Sequence, residues 1–193
     1  MNSLEIRPWK VLESSTVFSS PWVNVRKDIC LTNRGNVVDY YVMDRFSYVS
    51  IVALTPQSQV LVVRQYKHGA GQVVQELPAG YIEAGENPLE CARRELREET
   101  GYEAASIEPL AVLFASPTSS SHKAHLFLAT GLSRAGDQQL DANEKIAVEK
   151  IDFAGAVQAA ASGSHFQDLT STTALLLAWQ RLGVTDPHPP LCE

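Results

Sequence analysis

Three glutamates stand within five residues of one another in a segment that has the punctuation of a helix: Glu95, Glu98 and Glu99. Residues three and four apart are neighbours on a helix, so their carboxylates are expected to share one face. Like charges at these spacings repel, and the negative end of the helix dipole adds about 0.3–1 kcal/mol for each acid in the last turn. A hard divalent cation such as Mg²⁺, which prefers carboxylate oxygens, resolves this conflict.

The alternative is a solvated helical face laced with ion pairs, which is what most charge runs form. Glu90 and Arg94 stand four residues apart and support this interpretation in part. Three carboxylates on one rigid helix nevertheless make a pre-organised oxygen cluster, and we therefore favour a metal site.

The helix that carries these residues is well delimited. Asn87 is a good N-cap, Pro88 suits the first helical position, and Glu90 stands third, where it could reach back. Gly101 is expected to end the helix in a left-handed conformation. Apolar residues fall on one face, which should pack on a sheet: Leu89, Ala92 and Leu96.

The flanking sequence predicts a mixed α/β protein. Residues 16–68 have strand patterns, and SYVSIVAL and VLVVRQYKH are apolar enough for strands buried on both faces. Further strands are expected near 107–115, 123–130 and 146–152. Helices should follow near 153–161, with Asp152 as cap and Gly163 beyond, and near 170–182. We expect an N-terminal β-rich arm (1–45), a compact α/β core (46–183) and a loose tail (184–193).

Bulk composition narrows the class of function. The 193 residues carry a formal net charge of −6, which argues against a general nucleic-acid binder. The cysteines, Cys30, Cys91 and Cys192, are odd in number and widely spaced, so they indicate neither a disulfide framework nor a zinc site, and a cytoplasmic protein is expected. No apolar run approaches the roughly 18 residues that span a membrane.

The segment GYIEAGENPLECARRELREETGY resembles the box of the Nudix hydrolases. All seven fixed positions match: Gly80, Glu86, Arg94, Glu95, Glu98, Glu99 and Gly101. Tyr102, where an aliphatic residue is usual, is a minor departure. The resemblance implies a Mg²⁺-dependent hydrolase, with Mn²⁺ as a substitute, and a mixed β-sheet sandwiched between helices (α/β/α).

The resemblance also implies a role for each position of the box. Glu95, Glu98 and Glu99 would bind metal, together with the backbone carbonyl of Ala79. The other positions would be structural: Arg94 would hold the glutamates by ion pairing, Glu86 would support the loop-to-helix geometry or a further metal, Gly80 would permit close backbone approach, and Gly101 would end the helix.

Flanking pieces, namely ELPAG, RQYKH and Pro117, are similar to those of ADP-ribose pyrophosphatases. This similarity implies hydrolysis of ADP-ribose to AMP and ribose 5-phosphate. One segment departs from the pattern: SPTSSSHKAH has Thr118 where the family has Gly and His122 near the position of its usual Glu. A sister hydrolase for another nucleotide sugar, such as GDP-mannose, is therefore the alternative, and a nucleotide-binding regulator without catalysis is the third hypothesis.

The proposed reaction is attack of water on one phosphorus of a P–O–P bridge, for which a general base is needed. The box glutamates would act through the metal. The candidates for the base are Glu144, Asp141, His122 and a box glutamate such as Glu98. For Glu144 and Asp141 a plain polar loop is an equal alternative, and for His122 an exposed loop histidine is favoured over catalysis.

Substrate contacts are expected outside the box. Arg64 and Lys67 could bind phosphate or the terminal ribose, or could simply end a strand with charge at the surface. Glu76 could contact a ribose or the adenine edge, or make a structural hydrogen bond. Trp22 could stack on adenine, although plain packing is commoner for a single Trp. Relatives with this layout are homodimers that exchange N-terminal strands, and we expect the same here.

Overall fold

The computed structural model describes residues 6–183, which divide into two compact units. The first unit comprises the chain up to Ser47 together with Phe114–Lys123. The second comprises Tyr48–Leu113 and the chain from Ala124 onward. The expected tail, 184–193, lies outside the described residues. The boundary placed at residue 45 from the sequence stays a prediction.

The first unit is built on an antiparallel sheet of three strands in the order β1-β2-β3: β1 (Lys10–Ser19), β2 (Asn24–Leu31) and β3 (Val37–Asp44). Gly35, with φ of +81°, makes the turn between β2 and β3, where a side chain would be strained. β1 starts before residue 16, where strand patterns were first recognised. All ten of its residues are exposed, so it lacks the alternation of buried and exposed positions that identifies a strand.

The other described strands belong to the second unit, apart from the end residues Phe114 and Lys123. They are β4 (Tyr48–Ala53), β5 (Gln59–Lys67), β6 (Gln72–Glu76), β7 (Ala79–Tyr81), β8 (Tyr102–Phe114), β9 (Lys123–Arg134) and β10 (Ala147–Asp152). One sheet has the antiparallel order β10-β5-β6, and the other has the order β7-β4-β9-β8 with β4 and β9 parallel. The sheet that contains β4 and β9 is therefore mixed, as expected.

The helices are α1 (Pro88–Thr100), α2 (Phe153–Ser162) and α3 (Leu169–Arg181). The expected caps of α1 and α2 are confirmed: Asn87 and Asp152 accept backbone N–H groups, and Gly101 and Gly163 are left-handed. The cap of α3, Asp168, was not recognised from the sequence. Within residues 6–183, no helix is long and apolar enough to cross a membrane.

The core of the second unit has two parts, one on each side of the central strands. Ile51 and Leu61 belong to the cluster that includes Leu96 of α1, whereas Val52 and Val62, one position further along, belong to the cluster under α2 and α3. Successive strand residues point to opposite faces, so both faces of β4 and β5 are covered by helices. The α/β/α arrangement is confirmed, and it accounts for the continuous apolar runs in these strands.

Candidate active site

The three box glutamates of α1 are buried to different degrees. Glu99 is buried, with 4% of its surface exposed, whereas the Glu95 and Glu98 side chains are 13% and 37% exposed. The apolar face of the helix, with Ala92 and Leu96 fully buried, fixes this orientation by packing into the core. Two of the three carboxylates, those of Glu95 and Glu99, are therefore largely withdrawn from solvent, which a purely solvated face would not show.

Arg94 connects these carboxylates to the loop before the helix. Its Nη1 donates to Glu95 Oε1 at 2.6 Å and to Glu98 Oε2 at 3.0 Å, and its Nε and Nη2 donate to the two oxygens of Glu86 at 2.9 Å. This two-point contact holds the pKa of Glu86 at about 2. The ion pair between Glu90 and Arg94 that their spacing suggested is not formed, because the Arg94 guanidinium binds Glu86 instead.

Gly80, in the short strand β7, lies directly against Glu95. A Cβ built on Gly80 would be 1.9 Å from the Glu95 carboxyl carbon, a distance at which two atoms overlap. The space that a side chain would fill is taken by the carboxylate. The close approach at this glycine is therefore made by the Glu95 side chain to the strand backbone.

Burial opposes ionisation in this group. Desolvation raises the pKa of Glu99 to about 8, although the backbone N–H of Ala79 donates to its Oε2 at 2.9 Å. Desolvation also raises the pKa of Glu95, and the charges of Glu98 and Glu144 add to that shift. The positive charge around Glu95 and Glu99 therefore does not compensate for the burial of their carboxylates. A bound cation would supply the missing positive charge.

The donor set fits a hard divalent cation of the kind that this family implies. Within residues 6–183, no three His, Cys, Asp or Glu side chains converge as a ready-made metal cluster, and Arg94 engages Glu95 and Glu98. The three glutamates nevertheless offer the hard carboxylate oxygens that such a cation prefers, and the Glu95 carboxylate lies against Gly80. The ligand roles of the three box glutamates stay predictions. The ligand role of the Ala79 carbonyl stays a prediction.

Lys67 and Glu76 lie beside the buried glutamates and contact each other. Lys67 Nζ is 2.8 Å from Glu76 Oε1, which also accepts from Gln65 Nε2 at 2.6 Å. Desolvation raises the pKa of Glu76, and Lys67 opposes the shift. Lys67 lowers and Glu76 raises the pKa of Glu99, so both lie within electrostatic reach of it.

Arg64 is separated from Lys67. The two stand three positions apart on β5, so their side chains leave opposite faces of the strand. Arg64 Nη1 is 3.3 Å from Glu149 Oε1 on β10. The sequence suggested for each of these cations a contact with phosphate or the terminal ribose, and the substrate role of Lys67 stays a prediction. The substrate role of Arg64 by itself stays a prediction.

Two of the candidate bases, Asp141 and Glu144, lie together in one loop of the second unit. Asp141 and Glu144 close a turn, in which the Asp141 N–H donates to Glu144 Oε2 at 3.1 Å and the Glu144 N–H donates to the Asp141 carbonyl at 2.9 Å. Glu144 also raises the pKa of Glu95, which places it near the box carboxylates.

Two candidates belong to the first unit. Trp22 is 72% exposed in the turn between β1 and β2. His122 Nδ1 lies 2.5 Å from the Ser120 hydroxyl, and burial, followed by the charge of Arg45, lowers its pKa. Their roles in substrate binding and catalysis stay predictions.

One residue of the site was not recognised from the sequence. Gln138 Nε2 donates to the backbone carbonyls of Glu99 and Ile146. A lone loop glutamine belongs to no periodic pattern or motif, so no signal in the sequence could have identified it.

Comparison with known proteins agrees with this geometry. Residues 44–166 match the model of the NUDIX domain, and residues 9–43 match that of the nucleoside diphosphate sugar hydrolase N-terminal domain. The first match alone covers more than half of the chain. The chain therefore belongs to the Nudix family, with the N-terminal domain of its nucleoside diphosphate sugar hydrolases.

Individual relatives are similar at modest identity. An ADP-ribose pyrophosphatase of Mycobacterium tuberculosis is 35% identical over 129 residues, an alignment that covers 66% of this chain and 62% of that protein. A methanol dehydrogenase activator of Bacillus methanolicus is 30% identical over 150 residues, covering 77% and 81%. The crystal structure of an ADP compounds hydrolase superposes with a TM-score of 0.83 over 94% of this chain and 97% of that one; at 23% identity it shows the shared fold.

Proposed function

We propose that this protein hydrolyses the pyrophosphate bond of a nucleoside diphosphate sugar, and that its preferred substrate is ADP-ribose, which it cleaves to AMP and ribose 5-phosphate. The observation that carries the proposal is the group of Glu95, Glu98 and Glu99 on one helix. Arg94 binds Glu95 and Glu98, the Glu95 carboxylate lies against Gly80, and the Glu99 carboxylate accepts from the Ala79 N–H. The similarity to a mycobacterial ADP-ribose pyrophosphatase supports the choice of substrate.

In this proposal the chain's own residues have two tasks in the chemical step: holding a cation and accepting a proton. Glu95, Glu98 and Glu99, with the Ala79 backbone, would hold Mg²⁺ or Mn²⁺. A cation bound there would supply polarisation of the phosphate and a lowered pKa of water. Glu144 accepts a proton from the attacking water while the oxygen of that water forms a bond to phosphorus. The P–O bond on the far side breaks, and the bridging oxygen leaves with the second phosphate.

Substrate recognition is proposed to use residues around the box. The Lys67 ammonium, 42% exposed on its side chain, is placed to meet a phosphate, while its partner Glu76 is placed to accept from a ribose hydroxyl. Arg64 is proposed to contact the distal part of the substrate, and Trp22 offers an exposed indole for adenine stacking.

The direct test is turnover of ADP-ribose with and without Mg²⁺, measured by release of AMP. Glu99→Gln should lower kcat by about 10²-fold or more, because the proposed cation, which would stabilise the charge of the transition state, would lose one of its ligands. Glu103→Gln is the matched control: that carboxylate is 52% exposed, pairs with Arg97 and should leave kcat unchanged. Equal activity of the Glu99→Gln protein and the wild type would contradict the proposal.

The second candidate is a pyrophosphatase for a different nucleotide sugar, such as GDP-mannose. The observation that favours it is the segment SPTSSSHKAH, in which Thr118 and His122 depart from the ADP-ribose pattern. A panel of ADP-ribose, ADP-glucose, GDP-mannose and UDP-glucose, compared by kcat/KM, separates the two. Absence of turnover on every substrate would favour the third candidate, a nucleotide-binding regulator; one relative is a methanol dehydrogenase activator.

We also propose that the N-terminal arm, residues 1–45, makes the protein a homodimer. Large apolar side chains are exposed on the first unit, among them Val11, Val17 and Phe18 of β1. Light scattering after size-exclusion chromatography should give twice the chain mass, and Phe18→Asp should reduce it. A stable monomer at micromolar concentration would contradict this. The free thiols of Cys30 and Cys91 fit the cytoplasm in which we expect the protein to work.

A further inference from the structure

The C-terminal end of α1 is joined to the segment that follows β9. A helix leaves its last carbonyls without partners inside the helix. Here the Gln139 N–H donates to the Glu98 carbonyl at 2.9 Å, and the Ala135 N–H donates to the Gly101 carbonyl at 2.9 Å. A Cβ on Gly101 would be 2.4 Å from the Gly136 carbonyl oxygen, so the segment is pressed tightly on the helix end.

Gln138 is the residue in this segment whose side chain takes part in the junction. Its amide Nε2 donates to the Glu99 carbonyl at 2.6 Å and to the Ile146 carbonyl at 3.2 Å. Glu99 and Ile146 are 4% and 6% exposed. Since their surroundings are nearly dry, removal of the amide would leave two poorly solvated acceptors without this donor, which costs more than loss of an exposed hydrogen bond.

The two carbonyls belong to different parts of the proposed machinery. One is the backbone of the most buried box glutamate, at the end of α1. The other stands immediately before β10, where the loop that contains Glu144 ends. Gln138 and Ile146 thus enclose the turn of Asp141 and Glu144, and the amide ties the base of that loop to the helix.

We propose that Gln138 is a positioning residue for this reaction: its side-chain amide sets the distance between the Glu144 loop and the carboxylates of α1. The inference rests on the proposed function, because it assigns Gln138 to the alignment of a base with a metal-binding helix. A displacement of about 1 Å between reacting groups can cost about 10²-fold in rate, so one tether of this kind is sufficient to govern kcat.

The kinetic test uses two variants and a neighbour. Gln138→Ala removes the amide, and Gln138→Glu keeps the length of the side chain but has no N–H to donate. Both should lower kcat about tenfold or more with little change in KM. Gln139→Ala is the matched control, because Gln139 contributes its backbone N–H, which an alanine retains. A kcat for Gln138→Glu equal to that of the wild type would overturn the proposal.

A double-mutant cycle separates positioning from general damage. In a Glu144→Gln background, Gln138→Ala should have almost no further effect on kcat, because the group that it positions is already lost. Full additivity, with Glu144→Gln itself strongly impaired, would overturn the role of Gln138 and leave the proposed function standing. An unchanged kcat for Glu144→Gln would refute the proposed base and the positioning role that depends on it.

Amide hydrogen exchange gives a readout that does not need turnover. In Gln138→Ala the Gln139 and Glu144 amides, which donate to Glu98 and Asp141, should exchange about tenfold faster or more, while core amides such as those of Val62 and Leu96 keep wild-type rates. Loosening confined to the loop supports the tether. Unchanged exchange in the loop, or equal acceleration throughout the protein, would overturn it, whichever substrate the enzyme uses.

Discussion

At the scale of single residues, the site depends on which atoms occupy a few ångströms beside the helix. Glu95 can lie against β7 only because Gly80 has no side chain. The glutamates of the box were recognisable from their spacing, but the reason for the glycine was not. Its φ is not in the left-handed region, so the requirement comes from space and not from backbone conformation.

Gly80→Ala should therefore displace the Glu95 carboxylate. We expect Mg²⁺-dependent turnover to fall by about 10²-fold, as for a displaced catalytic group, measured as kcat/KM on the preferred nucleotide sugar. Gly69→Ala is the control, because nothing lies within 4 Å of a Cβ at Gly69 and its φ is ordinary. Equal activity of the two variants would show that the Glu95 carboxylate does not need its observed place.

The ion pair of Glu86 with Arg94 makes a second prediction at this scale. The folded-state pKa of Glu86 is about 2, below the usual value of about 4.3 for an unfolded chain. The carboxylate thus stabilises the fold fully above pH 4.3, and this contribution is lost as the pH falls toward 2. Urea unfolding should show Glu86→Gln less stable than wild type at pH 6, with a smaller difference at pH 3.5.

A more exposed carboxylate, Glu90 of α1, provides the control for that experiment. Glu90 lies 3.8 Å from Arg93 with 66% of its side chain exposed, and such surface pairs contribute about 0–1 kcal/mol. Glu90→Gln should therefore change the free energy of unfolding little at either pH. A difference for Glu86→Gln that stays constant from pH 6 to 3.5 would mean that the pKa of Glu86 is not depressed in the folded protein.

At the scale of elements, α1 was the most predictable part of the chain. Its cap, its first proline, its terminal glycine and its apolar face are all local features of sequence, and each is confirmed. β1 was the least predictable, since an exposed strand leaves no alternation to detect. Gln138 was not recognised for a similar reason, because a residue on a loop belongs to no periodic pattern.

The N-cap of α1 can be tested in isolation from the carboxylates. The Asn87 side chain accepts from the Leu89 N–H at 2.8 Å, and its loss in Asn87→Ala should cost about 1 kcal/mol in the free energy of unfolding. Asn87→Gly should cost only a few tenths, because glycine is tolerated at this position. Chemical denaturation measures both. Equal losses for Ala and Gly would indicate that the hydrogen bond to Leu89 is not what the cap provides.

At the scale of the whole molecule, metal binding should be coupled to folding. The raised pKa values of Glu95 and Glu99 show that burial opposes their charges, and a cation that binds only the folded state lowers its free energy. A free cation concentration of 100 times Kd should increase the free energy of unfolding by about 2.7 kcal/mol. For a chain of this size, that should raise the Tm by about 5–10 °C.

Thermal unfolding with MgCl₂ and with EDTA measures this coupling directly. The Mg²⁺-dependent part of the shift should largely disappear in Glu99→Gln and persist in Glu103→Gln, whose carboxylate lies beyond the end of the helix in β8. A shift of the same size in both variants would assign the ion to some other place.

The sequence by itself determined the helix, its caps, the box and the α/β class, because each of these depends on spacing along a short stretch of chain. Only the tertiary structure decided which partners the charged groups take. Arg64 and Lys67 pair with different glutamates, on β10 and on β6. Arg94 pairs with Glu86, and Gln138 donates a hydrogen bond to a carbonyl 39 residues away. Burial and contact between distant segments set these choices, and no local pattern of residues records them.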